Sequence, residues 1–404
     1  MAAKSKRLVG IDVLRAIAII AVLAFHWEQS GLAARPTSEL VFLARRLSHA
    51  GGYGVILFFA ISGFVITRTV IERDGELSRM RVGSFYLRRV ARIGPAFFLF
   101  VALGVTASLA ARHTSHVSEL ILLGASHHTA AFWLSIFTFT FNFEYISTAL
   151  AGHYSGWYWG IIWTLSVEEQ FYLCFPFLAR LAAARARFWL AIGLLVLLAV
   201  SSRALIEALG APHYWGFATP ACVDALAIGV AAAVLPRFRC RREWALRGAV
   251  AGLLLVELGF LSIGWVPGAW KARAWIANPL IIAAGAALVM LCCQNGQVFT
   301  GRIWLPFARI GRVSYGIYLF HLLVLYFMWP ILRGMAFLPG LLLFVAASTL
   351  AAEISFALVE QPASRWIRNR WSPRRELAGD QVRVAPTRSR ALADGAQTQM
   401  GGSE

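Results

Sequence analysis

Apolar runs near the length of a membrane-crossing helix, about twenty residues, recur along almost the whole chain, and the polar stretches between them are dominated by arginine. The runs lie at 9–26, 53–71, 93–111, 158–179, 187–206, 216–235, 247–265, 275–293, 314–333 and 337–358. The pattern predicts an all-α, polytopic transmembrane helical bundle of about ten spans. An eleventh apolar segment, 131–143, is too short to cross and reads as a re-entrant or interfacial piece.

The arginines give this pattern a direction. Segments 67–92, 180–187, 236–247 and 301–313 are rich in arginine, as is the stretch after the last span. With ten spans they all fall on the same side as the N-terminus, and the positive-inside rule makes that side cytoplasmic. Were 131–143 to span as well, the N-terminus and the first arginine-rich loop would face outward. Arg35, Arg45 and Arg46, in 27–52, run against the ten-span pattern. The expected organisation is one membrane domain over 7–362. A polar tail at 371–404, rich in Pro, Gly, Ser, Thr and Ala, reads as disordered and cytoplasmic.

Composition agrees with the pattern. Of 404 residues, 59% are hydrophobic and 14% charged, against about 25% charged in soluble domains; mean hydropathy is +0.65. The net charge of +18 invites a nucleic-acid reading. The placement of the basic residues between apolar spans excludes it. Lys4, Lys6 and Arg7 precede an apolar run as in a signal peptide. Asp12 and Arg15 interrupt that run and no small-x-small cleavage site follows, so it reads as a first span. The five cysteines form no CxxC and read as small buried residues. His113, His116, His127, His128 and His153 crowd the segment 112–157, but only His113 and His116 have a ligand-like spacing, and only if helical. A solvated or interfacial loop with no metal is expected there.

Four segments place ionisable groups where the bilayer makes them costly. The first span holds Asp12, Arg15 and His26. Arg15 and His26 are eleven residues apart, about three helical turns, so they share a face roughly 16 Å apart along the axis. Asp12 and Arg15 can also pair at i, i+3. The second segment is Arg88, Arg89 and Arg92, leading to Pro95; Arg89 and Arg92 share a face, and guanidinium forks suit phosphates. Positive-inside signalling explains the same residues. The third is Trp163 to Tyr172, with Glu168 and Glu169. Adjacent residues point about 100° apart, so at most one faces a given cavity well. Such a carboxylate can charge-stabilise an imidazole or partner a buried arginine. The fourth is Ser314 to His321, where His321 is either a satisfied core histidine or part of a site.

Together these segments, with Phe59-x-x-Ser62-Gly63-Phe64-x-Ile66, resemble the acyltransferase-3 family of integral membrane acyltransferases, and the resemblance runs from about residue 7 to Pro362. It implies an acyl-CoA-dependent O-acyltransferase in the bacterial cytoplasmic (inner) membrane, with both termini cytoplasmic. Acyl-CoA, by default acetyl-CoA, would be the co-substrate, with no bound cofactor and no metal. The acceptor would be a hydroxyl of a cell-envelope glycan, a glycolipid or a secreted small molecule. The resemblance assigns His26 as the catalytic histidine supported by Arg15, places Arg89 and Arg92, with Arg88, at the donor, and makes Glu168 rather than Glu169 the better-matched carboxylate. Glu169, His321 and Asp12 fall to a supporting layer around the site or to the acceptor. Many polysaccharide-modifying members carry a further soluble domain after the last span; the sequence after Pro362 is too short for one, which implies a one-site enzyme. A glycolipid or polysaccharide-precursor transporter is the alternative, since intramembrane His, Glu and Arg also mark ion-coupled paths. The absence of repeated halves in the sequence argues against it.

Overall fold

The computed structural model describes residues 8–34, 38–111, 129–152, 157–211, 213–236, 241–265, 269–294 and 298–371. The five histidines of 112–157, Cys240 and residues 372–404 lie outside these. Among the described residues every regular element is helical. In chain order they are α1 (Val9–Gln29), α2 (Glu39–His49), α3 (Gly54–Asp74), α4 (Val82–Ala111), α5 (Ala130–Phe137), α6 (Phe141–Leu150), α7 (Ile162–Leu181), α8 (Arg185–Ala208), α9 (Val223–Val234), α10 (Arg242–Trp265), α11 (Ala269–Cys293), α12 (Leu305–Arg312), α13 (Ser314–Phe327), α14 (Phe337–Ser355) and α15 (Gln361–Trp371). Short turns of 3-10 and α helix join several of them.

All ten predicted segments fall on helices, but they do not all qualify as simple spans. Among the described residues six helical stretches are long and apolar enough to cross a bilayer, and seven if α12 and α13, bent by 67°, count as one. The exceptions have physical reasons. Helix α7 carries Glu168 and Glu169 in its middle, and α9 has only 12 residues.

The segment expected to be too short to span is two short helices. Thr129 caps α5, its hydroxyl accepting from the Phe132 amide at 3.1 Å. Phe139, at φ +55°, then breaks the chain before α6. That left-handed conformation strains a residue with a side chain. Its neighbours hold it in place. The Phe139 ring lies 5.4 Å from Phe97, and its carbonyl accepts from Gln170 Nε2 at 2.7 Å. Gln170 Nε2 also donates to Asn142 Oδ1, Asn142 Nδ2 to Thr219 Oγ1, and Thr219 Oγ1 to Gln170 Oε1, a closed ring across α6, α7 and the turn before α9. A second Asn142 bond reaches the Phe217 carbonyl at 3.2 Å.

Small residues let the core helices approach closely, as membrane interiors favour. A Cβ on Gly63 of α3 would stand 2.1 Å from the Leu226 carbonyl oxygen of α9. A Cβ on Gly311 of α12 would stand 1.7 Å from that of Asp12, so this glycine sets the packing of α12 on α1. Gly311→Ala is therefore expected to force the two helices apart at a cost of roughly 1–3 kcal/mol. The thermal midpoint of detergent-purified protein should fall; an unchanged midpoint would mean the contact has slack that the packing does not suggest. Between the helices Trp27, Phe59, Phe64, Phe85, Phe100, Phe175 and Phe344 fill the core.

Candidate active site

Five helices converge on a cavity of about 90 Å³. Arg15 enters from α1, Ser62 from α3, Arg89 and Arg92 from α4, Glu168 and Tyr172 from α7, and Tyr315 and Tyr318 from α13. The placement follows from helical spacing. Arg89 and Arg92 are three residues apart and reach the cavity together, as do Glu168 and Tyr172 at four. Arg88 points about 100° away from Arg89 and is not among the lining residues. Arg92 lines the cavity and is exposed to solvent. A solvent-accessible guanidinium at a cavity wall can receive an anion.

Three arginines and one carboxylate are the charged groups that line the cavity. Arg89 lies over the Tyr172 ring, 5.5 Å from its centroid, a cation–π arrangement. The Tyr172 hydroxyl donates to Glu168 Oε2 at 3.2 Å and shares a short hydrogen bond with the Ser62 hydroxyl. Glu168 interacts electrostatically with Arg92 and Arg89. The carboxylate expected beside His26 thus faces the guanidinium groups. Glu169 interacts with Glu168 and Arg89 but is not among the lining residues, in keeping with the divergence of adjacent side chains. Arg15 combines both sequence readings: it lines the cavity and sits 3.7 Å from Asp12. Tyr315 donates to the Ile93 carbonyl at 3.1 Å and ties α13 to the helix of the arginine pair.

His26 lies further along α1 and is not among the residues lining this cavity. Its ring packs on His321, centroid to centroid 5.0 Å and tilted by 43°. His321 is fully buried. Its Nδ1 is 2.6 Å from the Tyr318 carbonyl oxygen. A carbonyl only accepts, so Nδ1 carries a proton. In the neutral ring that leaves Nε2 as the lone-pair nitrogen, and Nε2 is buried with no hydrogen-bond partner among the described residues. Tyr318 links the two levels. Its hydroxyl accepts from Thr164 Oγ1 at 2.8 Å and donates to the Ile161 carbonyl at 3.2 Å, while its ring lies 5.7 Å from His321.

Of the residues singled out in the sequence, Arg15, Arg89, Arg92 and Glu168 meet at one cavity, Arg88, Glu169, His26, His321 and Asp12 are not among its lining, and Ser62, Tyr172, Tyr315 and Tyr318, to which sequence reasoning gave no role, complete it. The spacing of Tyr315, Tyr318 and His321 by threes was the available signal. Among the described residues no group of His, Cys, Asp and Glu is arranged to hold a metal.

A family model described as an acyltransferase domain matches residues 8–360. Among curated proteins the chain is 27% identical over 372 residues to the peptidoglycan O-acetyltransferase OatA of Listeria monocytogenes, covering 87% of this chain and 55% of that protein. It is 26% identical over 372 residues to YrhL of Bacillus subtilis, named as a candidate peptidoglycan O-acetyltransferase, covering 87% and 54%. The chain spans about half the length of the curated relatives it matches. No solved structure matches it.

Proposed function

The chain belongs to the acyltransferase-3 family, and from that premise we propose that it is a membrane-embedded O-acyltransferase carrying an acetyl group from cytoplasmic acetyl-CoA to a hydroxyl of peptidoglycan. The acceptor follows the names of the relatives OatA and YrhL. The observation that supports the reading is the cavity that solvent-exposed Arg92 lines with Arg15 and Arg89, joined through Tyr318 to the packed rings of His26 and His321.

The phosphates of the donor dock against Arg89 and Arg92 from the cytoplasmic mouth, with Arg88 beside them. Arginine forks bind phosphate oxygens in pairs. Arg15 sits deeper and meets the pantetheine arm or the thioester oxygen. The arm carries the acetyl group toward His26. The acceptor hydroxyl gives its proton to the His26 imidazole as its oxygen attacks the thioester carbonyl. The tetrahedral intermediate collapses, the carbon–sulfur bond breaks, and the thiolate of CoA takes the proton back from the imidazolium. His321, whose Nδ1 proton is held by Tyr318, orients His26. Glu168 balances the arginines and fixes Tyr172. The arginine-rich segments, with both termini, face the cytoplasm of the bacterial inner membrane.

The test is transfer of labelled acetyl from acetyl-CoA to extracted cell-wall glycan by detergent-purified protein. Arg92→Ala should raise the Kd for acetyl-CoA by about ten- to a hundredfold, as expected for a charge-assisted phosphate contact worth roughly 1.5–3 kcal/mol. A wild-type protein that binds neither acetyl-CoA nor longer acyl-CoAs would end this reading.

A further inference from the structure

We propose that Ser62 accepts an amide N–H of the donor's pantetheine arm, across Tyr172 from the Arg89 guanidinium. The inference rests on the proposed docking of acetyl-CoA in this cavity, and it names a residue that reads the arm rather than the phosphates.

Hydroxyl protons decide what the cavity wall offers a ligand. The Tyr172 hydroxyl has a single proton and donates it to Glu168 Oε2 at 3.2 Å. The short hydrogen bond between Tyr172 and Ser62 is then donated by Ser62. The reverse sense, from Tyr172 to Ser62 and from Ser62 to Glu168, spends the Ser62 proton on the same carboxylate. In either sense Ser62 keeps no proton for a ligand and at least one lone pair. A helical serine or threonine often donates to the carbonyl four residues before it, as Thr69 does to Val65 at 2.7 Å and Ser166 to Ile162 at 3.2 Å. Ser62 turns instead to Tyr172 on α7. It lines the cavity and is half-buried, between Ile61 and Gly63, which are buried.

Other hydroxyls of the wall are committed in the same way. Thr164 spends its proton on Tyr318 or the Ile161 carbonyl, Tyr318 donates to that carbonyl, and Tyr315 donates to the carbonyl of Ile93. The wall therefore has two characters. The guanidinium groups of Arg15, Arg89 and Arg92 are donors that suit phosphate oxygens, and the committed hydroxyls are acceptors that suit N–H groups. At Tyr172 the two adjoin: Arg89 lies over its ring, 5.5 Å from the centroid, and Ser62 bonds the hydroxyl of the same ring. CoA carries the matching order of groups, a diphosphate, then an arm with amide N–H groups, then the sulfur. A phosphate on a plain hydrocarbon tail would bring no donor to Ser62.

The test compares ligands with and without the arm. Ser62→Ala in the full-length purified protein should weaken CoA binding about three- to tenfold, the range for one hydrogen bond. ADP has the diphosphate and no arm, so its Kd should stay within about twofold of wild type, whereas damage to the arginine side would weaken both ligands. A CoA analogue with esters in place of the arm amides has no N–H to give, and should bind wild type and Ser62→Ala alike. Ser62→Cys keeps nearly the same volume with a poor acceptor; it should weaken CoA in the same pattern, and serves if the alanine variant does not fold. Unchanged CoA binding in Ser62→Ala, equal weakening of CoA and ADP, or an ester analogue that loses as much affinity as CoA, overturns the role of Ser62 and leaves the donor reading standing. Wild-type protein that binds no CoA ends the donor reading and this inference with it.

Discussion

His26→Ala should slow acetyl transfer by about 10²–10⁴-fold while acetyl-CoA continues to bind, the range typical of a lost general base. The separation of levels is the reason. Arg15, Arg89 and Arg92 line the cavity, and His26 is not among its lining residues. Removing the imidazole should therefore reduce kcat and leave donor affinity within a small factor of wild type. Arg92→Ala should do the reverse, raising Kd first. Added imidazole should restore part of the activity to His26→Ala, because the alanine leaves room beside His321, whose ring lies 5.0 Å away. Equal losses of binding and rate in His26→Ala would place the histidine at the donor site instead and remove it as the base.

The second large effect concerns stability. Arg203 of α8 and Asp224 of α9 form a buried ion pair at 2.6 Å, with side chains 3% and 0% exposed. Arg203 also donates to the Ala221 carbonyl at 2.7 Å. Arg203→Ala strands the Asp224 charge, which typically costs about 3–5 kcal/mol for a broken buried pair. The melting midpoint in detergent should fall sharply. The effect should spread to activity, because α9 packs against α3 at Gly63, next to Ser62 of the cavity. Replacing both charges with apolar residues, as in Arg203→Met with Asp224→Leu, should recover much of the midpoint. A lone Arg203→Ala that melts like wild type would show that water reaches the pair and that it contributes little.

The sequence is most informative where a single helix carries the information. The arginine pair reaches the cavity because three residues are nearly a helical turn, and Arg15 sits in the interior because the first span has a polar stripe. A single helix does not encode its rotation against its neighbours. That His26 meets His321 is decided by the angle between α1 and α13. The same holds for Glu168, whose neighbours are arginines and Tyr172. Among the described residues six helical stretches, or seven with the bent pair, are long and apolar enough to cross, because apolar content alone does not register the short helix α9 or the bend between α12 and α13.

The ring of Gln170, Asn142 and Thr219 has a property that its individual bonds lack. Each member gives one hydrogen to the next and receives one from the last, so donation circulates in a single sense. Both amides also spend their remaining hydrogen on a main-chain carbonyl, of Phe139 and Phe217. Opening the circuit at any point strands a donor and an acceptor together, and bonds arranged head to tail reinforce one another. The three residues therefore hold as one or release as one, and the short α5–α6 hairpin stays latched to the helix that carries Glu168 until the whole circuit opens.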